Sequence, residues 1–328
     1  MKTALPKRPA GFLSRLFWKQ VIRFMRACPI ERDSSSVLAH KSRIRGLLRL
    51  AAGTPRAVAL HWRDKIKKRV VLGQVGLIVT TRCTLNCDKC MAHIPDLRRK
   101  NDMPAHELLA DIQALFSRVD YVYDFCIGGG EPFLHPDLDL ILRACADSGK
   151  AGSLSLITNG TVFPDAKTLS ALRETNTRVD FSRYQPALQP DFEKIQAVLE
   201  ENGVCHSVLP DYWVDSDSFG ELKEGSPARR FGGCFSRLYY IYMSGQLHLC
   251  LQSAFLAYDG RIADCGEDYV DLRAVSPAAF PGELGRLNRR NAVSACSYCL
   301  GKPYGAPKIP AAVQRPVERD AERKEPLK

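Results

Sequence analysis

From about residue 70 onward, blocks of apolar residues alternate with amphipathic blocks. Short apolar runs predict buried strands at residues 77–81, 121–127, 153–157, 178–182 and 204–209. Between them, apolar residues recur every three or four positions and predict helices at residues 104–118, 136–148, 165–174 and 190–202. Strands that alternate with helices favour an α/β fold with a parallel sheet, in which ligands bind at the carboxyl ends of the strands.

Positive charge is concentrated before this alternating region. Residues 1–69 contain 18 Lys and Arg against three acidic residues, a net charge of +15, whereas the whole chain of 328 residues carries +11. Residues 11–27 and 35–52 are basic with helical periodicity. We therefore expect residues 1–69 to form a basic helical arm that docks on a protein, lies on an anionic membrane surface or serves as a transit-like segment. Because the rest of the chain is slightly acidic, no nucleic-acid partner is expected.

The pattern changes again after the alternating region, which we place at residues 70–228. Residues 229–300 are rich in cysteine and glycine and contain two hairpin-like strands at residues 238–243 and 246–251, so they are predicted to form a small α+β extension. Residues 301–328 combine prolines with mixed charge and lack apolar periodicity, which predicts a disordered tail.

The expected cellular compartment decides how the twelve cysteines are interpreted. The chain has no apolar run of 18 residues and no secretory pattern at its start, so we expect a cytoplasmic protein, peripheral to the membrane if the arm binds lipid. In a reducing compartment, clustered cysteines indicate metal sites or catalysis more often than disulfides.

One cysteine cluster follows the first predicted strand directly. Cys83, Cys87 and Cys90 supply three thiolates from a single loop. A [4Fe–4S] cluster usually takes four cysteines, so three would leave one iron open for a ligand. A zinc site with His93 as the fourth ligand is the alternative for this loop.

Two motifs together carry a family resemblance. The loop Cys83-Thr-Leu-Asn-Cys87-Asp-Lys-Cys90 and the run Gly129-Gly130-Glu131-Pro132, which ends the second strand, resemble the signature motifs of the radical S-adenosylmethionine (radical SAM) superfamily. The resemblance implies a partial (β/α)6 barrel over residues 70–225. It also implies a [4Fe–4S] cluster on the three cysteines and an S-adenosylmethionine molecule that is cleaved to a 5′-deoxyadenosyl radical.

The resemblance also implies roles for residues at the strand ends. The two glycines would let the backbone approach S-adenosylmethionine, and Glu131 would accept a hydrogen bond from its ammonium group. Ser182 matches a polar contact to ribose or carboxylate. Asn159 is a further candidate for cofactor binding, although Asn-Gly is also a common turn pair. Lys89 departs from the family pattern, which usually has an aromatic residue near the adenine at this position.

A second cysteine group lies in the predicted extension. Cys234, Cys250, Cys296 and Cys299 resemble the ligands of the auxiliary-cluster extensions called SPASM and twitch domains, in the shorter form with one cluster. The resemblance implies a second [4Fe–4S] cluster without an open position. A zinc ribbon is the alternative, and Cys265 is a candidate spare ligand.

These features predict a radical SAM oxidoreductase. The resemblance implies hydrogen abstraction from an unknown substrate and a net oxidation assisted by the auxiliary cluster, as in sugar or cyclitol dehydrogenation or peptide modification. Expected partners are that substrate and an electron donor such as flavodoxin or ferredoxin. The alternative is a zinc-binding scaffold or adaptor whose basic arm binds a membrane or a partner protein.

Overall fold

The computed structural model describes residues 63–64, 66–215, 225–262, 265–303 and 306–316. Nearly all of the predicted N-terminal arm, including both of its predicted helices, lies outside these residues. Within the described ranges, no helix is both long and apolar enough to cross a bilayer.

Strands and helices alternate along the first two thirds of the described chain. The strands are β1 (Val71–Thr80), β2 (Tyr121–Gly129), β3 (Leu154–Thr158), β4 (Arg178–Phe181), β5 (His206–Val208), β6 (Tyr212–Val214), β7 (Tyr240–Met243), β8 (Gln246–His248), β9 (Tyr269–Asp271) and β10 (Lys308–Pro310). The helices are α1 (Ala105–Arg118), α2 (Leu138–Asp147), α3 (Ala166–Glu174), α4 (Phe192–Glu201), α5 (Pro227–Gly233), α6 (Leu251–Tyr258) and α7 (Phe280–Asn288).

The first five strands form a parallel sheet in the order β5-β4-β3-β2-β1. Most of their apolar residues, Ile157 and Val208 excepted, are buried because helices α1 to α4 follow the strands one by one and cover the sheet. In α1, for example, Leu108, Ile112 and Leu115 recur at helical spacing and are buried. The predicted α/β fold with a parallel sheet is confirmed.

The sheet continues into the predicted extension. Strand β7 pairs with β1 in parallel, Val75 to Leu77 of β1 lying beside Tyr240 to Tyr242 of β7. Strands β8 and β9 then add to β7 in antiparallel order, so β7 and β8 form the predicted hairpin. The eight-stranded sheet therefore crosses the predicted domain boundary at residues 228 and 229 without a break.

The C-terminal segment differs from its prediction. Residues 306–316, which the sequence pattern assigned to a disordered tail, contain β10, and β10 pairs with β6 in antiparallel register. Ala311 and Ala312 are buried, and Arg315 forms a buried ion pair with Asp96. Local composition predicted disorder because the partners of this segment lie far away in the chain. Residues 317–328 lie outside the described ranges.

Candidate functional site

The predicted site residues gather at one edge of the parallel sheet. The loop with Cys83 follows β1, Glu131 follows β2, Asn159 follows β3 and Ser182 follows β4. Because the four strands are parallel neighbours, their carboxyl ends meet at the same edge.

The glycine motif packs its backbone against the end of β1. Gly130 N donates to Thr80 O at 2.9 Å, and Glu131 N donates to Arg82 O at 2.7 Å. A Cβ atom on Gly129 would lie 2.2 Å from Thr80 O, and one on Gly130 would lie 2.0 Å from Arg82 O. Gly129 also has a φ of 143°, a conformation that other residues rarely adopt. Both glycines are therefore required for the close approach that places this motif beside the cysteine loop.

The Glu131 side chain is completely buried and joins the turn after β2 to the end of β3. One carboxylate oxygen accepts from Thr158 Oγ1 at 2.8 Å and from Phe133 N at 3.1 Å, and the other accepts from Asn159 N at 2.7 Å. Burial raises the pKa of Glu131 to about 7, although these hydrogen bonds oppose the shift. The carboxylate therefore ties β2 to β3, and its predicted contact with an ammonium group stays a prediction.

Asn159 and Ser182 lie on the same edge with different contacts. Asn159 Nδ2 donates to Thr84 Oγ1 at 2.9 Å and lies 3.5 Å from Cys83 Sγ, so it holds the cysteine loop. The backbone of Ser182 donates to Thr158 O, and its carbonyl accepts from Gln189 Nε2. The cofactor contacts predicted for Asn159 and Ser182 are not tested by these observations.

The three thiols of the cysteine loop lie near one another, with Cys87 buried and Cys83 and Cys90 half-buried. Burial raises the pKa of Cys87 to about 12 and that of Cys90 to about 11, and the proximity of Cys83 raises both further. Gln314 Nε2 lies 3.2 Å from Cys87 Sγ, and Asn159 Nδ2 points at Cys83 Sγ. Buried thiolates need a nearby cation, and N–H donors aimed at sulfur stabilise thiolates that ligate iron. The three cysteines therefore fit an iron–sulfur cluster.

Two further side chains border this loop. The pKa of Tyr184 is raised by burial and, to a smaller extent, by the proximity of the three cysteines, which places its ring beside them. Lys89, the residue that departs from the family pattern, has a φ of 57° and its ammonium group lies 3.7 Å from Asp215. Lys89 thus connects the loop to the segment after β6.

The zinc alternative requires His93 as a ligand of the same loop. His93 is buried, and its Nε2 lies 2.7 Å from Gln252 Oε1 on α6. In the described ranges, no group of three or more His, Cys, Asp or Glu side chains has a geometry suited to a single metal ion.

The four cysteines of the second group also come together. Burial raises the pKa of Cys296 to about 11, that of Cys299 to about 12 and that of Cys250 well above its usual value. The proximity of Cys234 raises all three pKa values further. The structure therefore brings these four half-buried cysteines close to one another, whereas Cys265 lies beside Tyr269.

Backbone donors and one lysine surround these four sulfurs. Ser253 N lies 3.4 Å from Cys250 Sγ, and Gly301 N lies 3.3 Å from Cys299 Sγ. Burial lowers the pKa of Lys302, and the proximity of the cysteines opposes that shift. The Lys302 ammonium also contacts Met91 Sδ, next to the last cysteine of the first loop. Lys302 therefore lies between the two cysteine groups.

Sequence reasoning identified both cysteine groups but missed several of their neighbours. Gln314 and Lys302 lie in the segment that was assigned to a disordered tail, so nothing in their local pattern indicated a role.

Comparison with known proteins gives a family match. The family model of the Radical SAM superfamily matches residues 77–199. A GTP 3′,8-cyclase from Microcystis aeruginosa is 29% identical over 121 residues, which are 35% of each chain. GTP 3′,8-cyclase 1 from Mycobacterium tuberculosis is 30% identical over 158 residues, which are 45% of this chain and 42% of the relative. The chain thus spans less than half the length of these curated relatives.

Solved structures show weaker similarity. Native anSMEcpe with bound AdoMet aligns with a TM-score of 0.46 at 12% identity, over 69% of this chain and 83% of the other. BtrN in complex with AdoMet and 2-DOIA aligns with a TM-score of 0.45 at 18% identity, over 70% and 93%. TM-scores in this range do not by themselves establish a shared fold.

The family match and the sheet described above agree with each other. The matched residues extend from β1 to α4, the part of the chain that forms the parallel sheet and presents both sequence motifs at its edge. Members of this family are enzymes that use a [4Fe–4S] cluster and S-adenosylmethionine. Residues 77–199 of this chain therefore form a domain of the Radical SAM superfamily.

Proposed function

We propose that this chain oxidises its substrate by two electrons and holds two [4Fe–4S] clusters. In this proposal Cys83, Cys87 and Cys90 ligate the cluster that binds S-adenosylmethionine. A twitch-like extension at residues 229–300 ligates the auxiliary cluster through Cys234, Cys250, Cys296 and Cys299. The observation that carries the proposal is the proximity of those four half-buried cysteines, beside which Lys302 lies in contact with Met91, the residue after Cys90.

The groups bound at the first site would supply a 5′-deoxyadenosyl radical that takes a hydrogen atom from the substrate. The auxiliary cluster would accept the electron that the substrate radical then loses together with a proton. The chain's own residues position these groups. Glu131 fixes the end of β2 to β3, and Asn159 holds the loop through Thr84. The half-buried Tyr184 borders the three cysteines.

The substrate classes to test first are peptides and sugars or cyclitols, because a carbon–hydrogen bond next to a heteroatom in either class can be oxidised by this route. An electron donor such as flavodoxin or ferredoxin would supply the single electron that starts each cycle. S-adenosylmethionine cleavage, measured as 5′-deoxyadenosine, should increase only with a true substrate.

A nucleotide substrate is the second candidate. It is favoured by the 30% identity over 158 residues to GTP 3′,8-cyclase 1 from Mycobacterium tuberculosis. Incubation with GTP, S-adenosylmethionine and dithionite, followed by mass spectrometry, distinguishes the two functions. A cyclised nucleotide of unchanged oxidation state would favour this candidate, whereas a product two hydrogens lighter than its substrate would favour the oxidation.

Cysteine variants test the two cluster sites separately. After anaerobic reconstitution, the wild type should bind about eight iron atoms per chain, and Cys87→Ala and Cys250→Ala should each bind about four. Cys87→Ala should produce no 5′-deoxyadenosine with dithionite. Cys250→Ala should still cleave S-adenosylmethionine but should not complete the oxidation. The matched control is Cys205→Ala, since this cysteine is exposed and belongs to neither group.

The zinc-binding scaffold makes the opposite prediction. It predicts a colourless protein that retains zinc through anaerobic purification and binds almost no iron on reconstitution. That result would overturn the proposed function, and a brown protein with iron at both sites would exclude the scaffold.

A further inference from the structure

The C-terminal segment at residues 311–316, here called the strap, lies directly against the cysteine loop. Cys87 and Gln314 form an antiparallel bridge. Asp88 N donates to Val313 O at 2.6 Å, and Arg315 N donates to Asn86 O at 2.9 Å. The strap therefore extends the loop as a short second strand, and its backbone fixes the register of the residues around Cys87.

Within the strap, both the oxygen and the nitrogen of the Gln314 side-chain amide contact the cysteine loop. Its oxygen accepts from Asn86 N at 2.9 Å, while its nitrogen donates to Cys87 Sγ at 3.2 Å and to Ala312 O at 2.8 Å. The opposite amide orientation would place an N–H against the N–H of Asn86 and an oxygen against Ala312 O. The surrounding groups therefore allow one orientation only, and in that orientation an N–H points at the cysteine sulfur.

Arg315 anchors the strap beside Gln314. Its guanidinium makes two hydrogen bonds to Asp96, at 2.8 and 2.6 Å, and lies 3.7 Å from Asp88. Only 4% of the Arg315 side chain and 6% of the Asp96 side chain are exposed. A bidentate buried pair of this kind fixes the backbone next to Gln314, so its amide is held in place and is not free to rotate toward solvent.

We propose that Gln314 is a positioning residue that tunes the cluster held by the first loop, through its hydrogen bond to Cys87. The inference rests on the proposed function in that Cys83, Cys87 and Cys90 must hold that cluster. Reduction adds one electron and increases the negative charge on the cysteine sulfurs, so an N–H donor stabilises the reduced state more than the oxidised state. The strap therefore makes the cluster easier to reduce.

Two substitutions separate the donor from the fold of the strap. Gln314→Leu removes the donor and the acceptor, whereas Gln314→Glu keeps the acceptor for Asn86 N but directs a carboxylate oxygen at the sulfur. The matched control is Gln113→Leu, the same change on the exposed face of α1. The measurement is an anaerobic potentiometric titration of the full chain followed by electron paramagnetic resonance. The signal that responds to added S-adenosylmethionine identifies the cluster with the open iron.

Loss of the donor should lower the equilibrium constant for one-electron reduction of this cluster about tenfold. That change corresponds to a shift of its midpoint potential by about 59 mV toward negative values. Gln314→Glu should shift the midpoint further in the same direction, and Gln113→Leu should leave it unchanged. Hydrogen exchange at residues 308–316 checks that the strap stays docked in Gln314→Glu. An unchanged midpoint in a docked, iron-loaded Gln314→Glu protein would overturn this inference alone. A wild type that loads no iron at the first loop would overturn the proposed function and this inference with it.

Discussion

The substitution Glu131→Gln tests the electrostatics at the centre of the site, because the Glu131 carboxyl is completely buried. Burial raises its pKa from 4.5 to about 7. Between these pH values the folded protein holds a proton that the unfolded chain has released. The free energy of unfolding should therefore decrease by about 1.4 kcal/mol per pH unit as the pH rises. The full shift corresponds to about 3 kcal/mol of unfolding free energy, which is present below pH 4.5 and lost as the pH rises through 7.

Glutamine does not titrate, so Glu131→Gln should lack this contribution. We would measure the free energy of unfolding by chemical denaturation at half-unit intervals from pH 5.5 to 8. Between pH 5.5 and pH 7, this free energy should fall by about 2 kcal/mol more in the wild type than in the variant. Glu193→Gln, an exposed change on α4, should retain the pH dependence of the wild type. Parallel curves for the wild type and Glu131→Gln would refute the reasoning, because they would mean that the buried carboxyl takes up no proton in this range.

The same proton affects ligand binding if Glu131 receives the ammonium of S-adenosylmethionine. Binding then requires the ionised carboxylate, so the affinity should fall about tenfold for each pH unit below 7. Isothermal titration calorimetry at pH 6, 7 and 8 measures this slope. A slope that is equally steep in Glu131→Gln would assign it to another group.

Two further substitutions test packing around the cysteine loop. Gly130→Ala should displace the loop, because its new Cβ would lie 2.0 Å from Arg82 O, and iron binding at the first site should fall severalfold. Gly128→Ala is its control, since a Cβ there meets nothing within 4 Å and should leave iron content unchanged. Arg315→Met removes the guanidinium that pairs with the buried Asp96 carboxylate and should destabilise the protein by about 3–5 kcal/mol in urea unfolding. Adding Asp96→Leu to Arg315→Met should recover part of the lost stability. If the single and the double variant lose the same free energy of unfolding, the ion pair does not stabilise the protein as proposed.

The sheet could be predicted from the sequence because its elements follow local periodicities. Residues such as Ile112 on α1 and Ile141 on α2 repeat at helical spacing and are buried on one face. Once strands alternate with helices, the rules for parallel sheets place their carboxyl ends together. The prediction that the cysteine loop, the glycine motif and Asn159 share one edge of the sheet required no knowledge of side-chain contacts.

The C-terminal segment could not be predicted in this way, because its stability comes from distant partners. Arg315 is separated from Asp96 by 219 positions, and β10 is a three-residue strand that pairs with the equally short β6. The local sequence there, with prolines and mixed charge, is typical of disorder. The internal hydrogen bonds of Glu131 were missed for a similar reason, since Thr158 and Asn159 lie on another strand.

The pairing of β7 with β1 has a consequence for anyone who divides this chain. A fragment that ends at residue 228 would contain the whole matched domain but would lack the neighbour of Val75 and Leu77 on β1. The main-chain groups of that strand would then face solvent along a straight apolar edge, which is a template for association between copies. We expect such a fragment to aggregate, and expression of the domain in soluble form should require the chain to continue through β9 (Tyr269–Asp271).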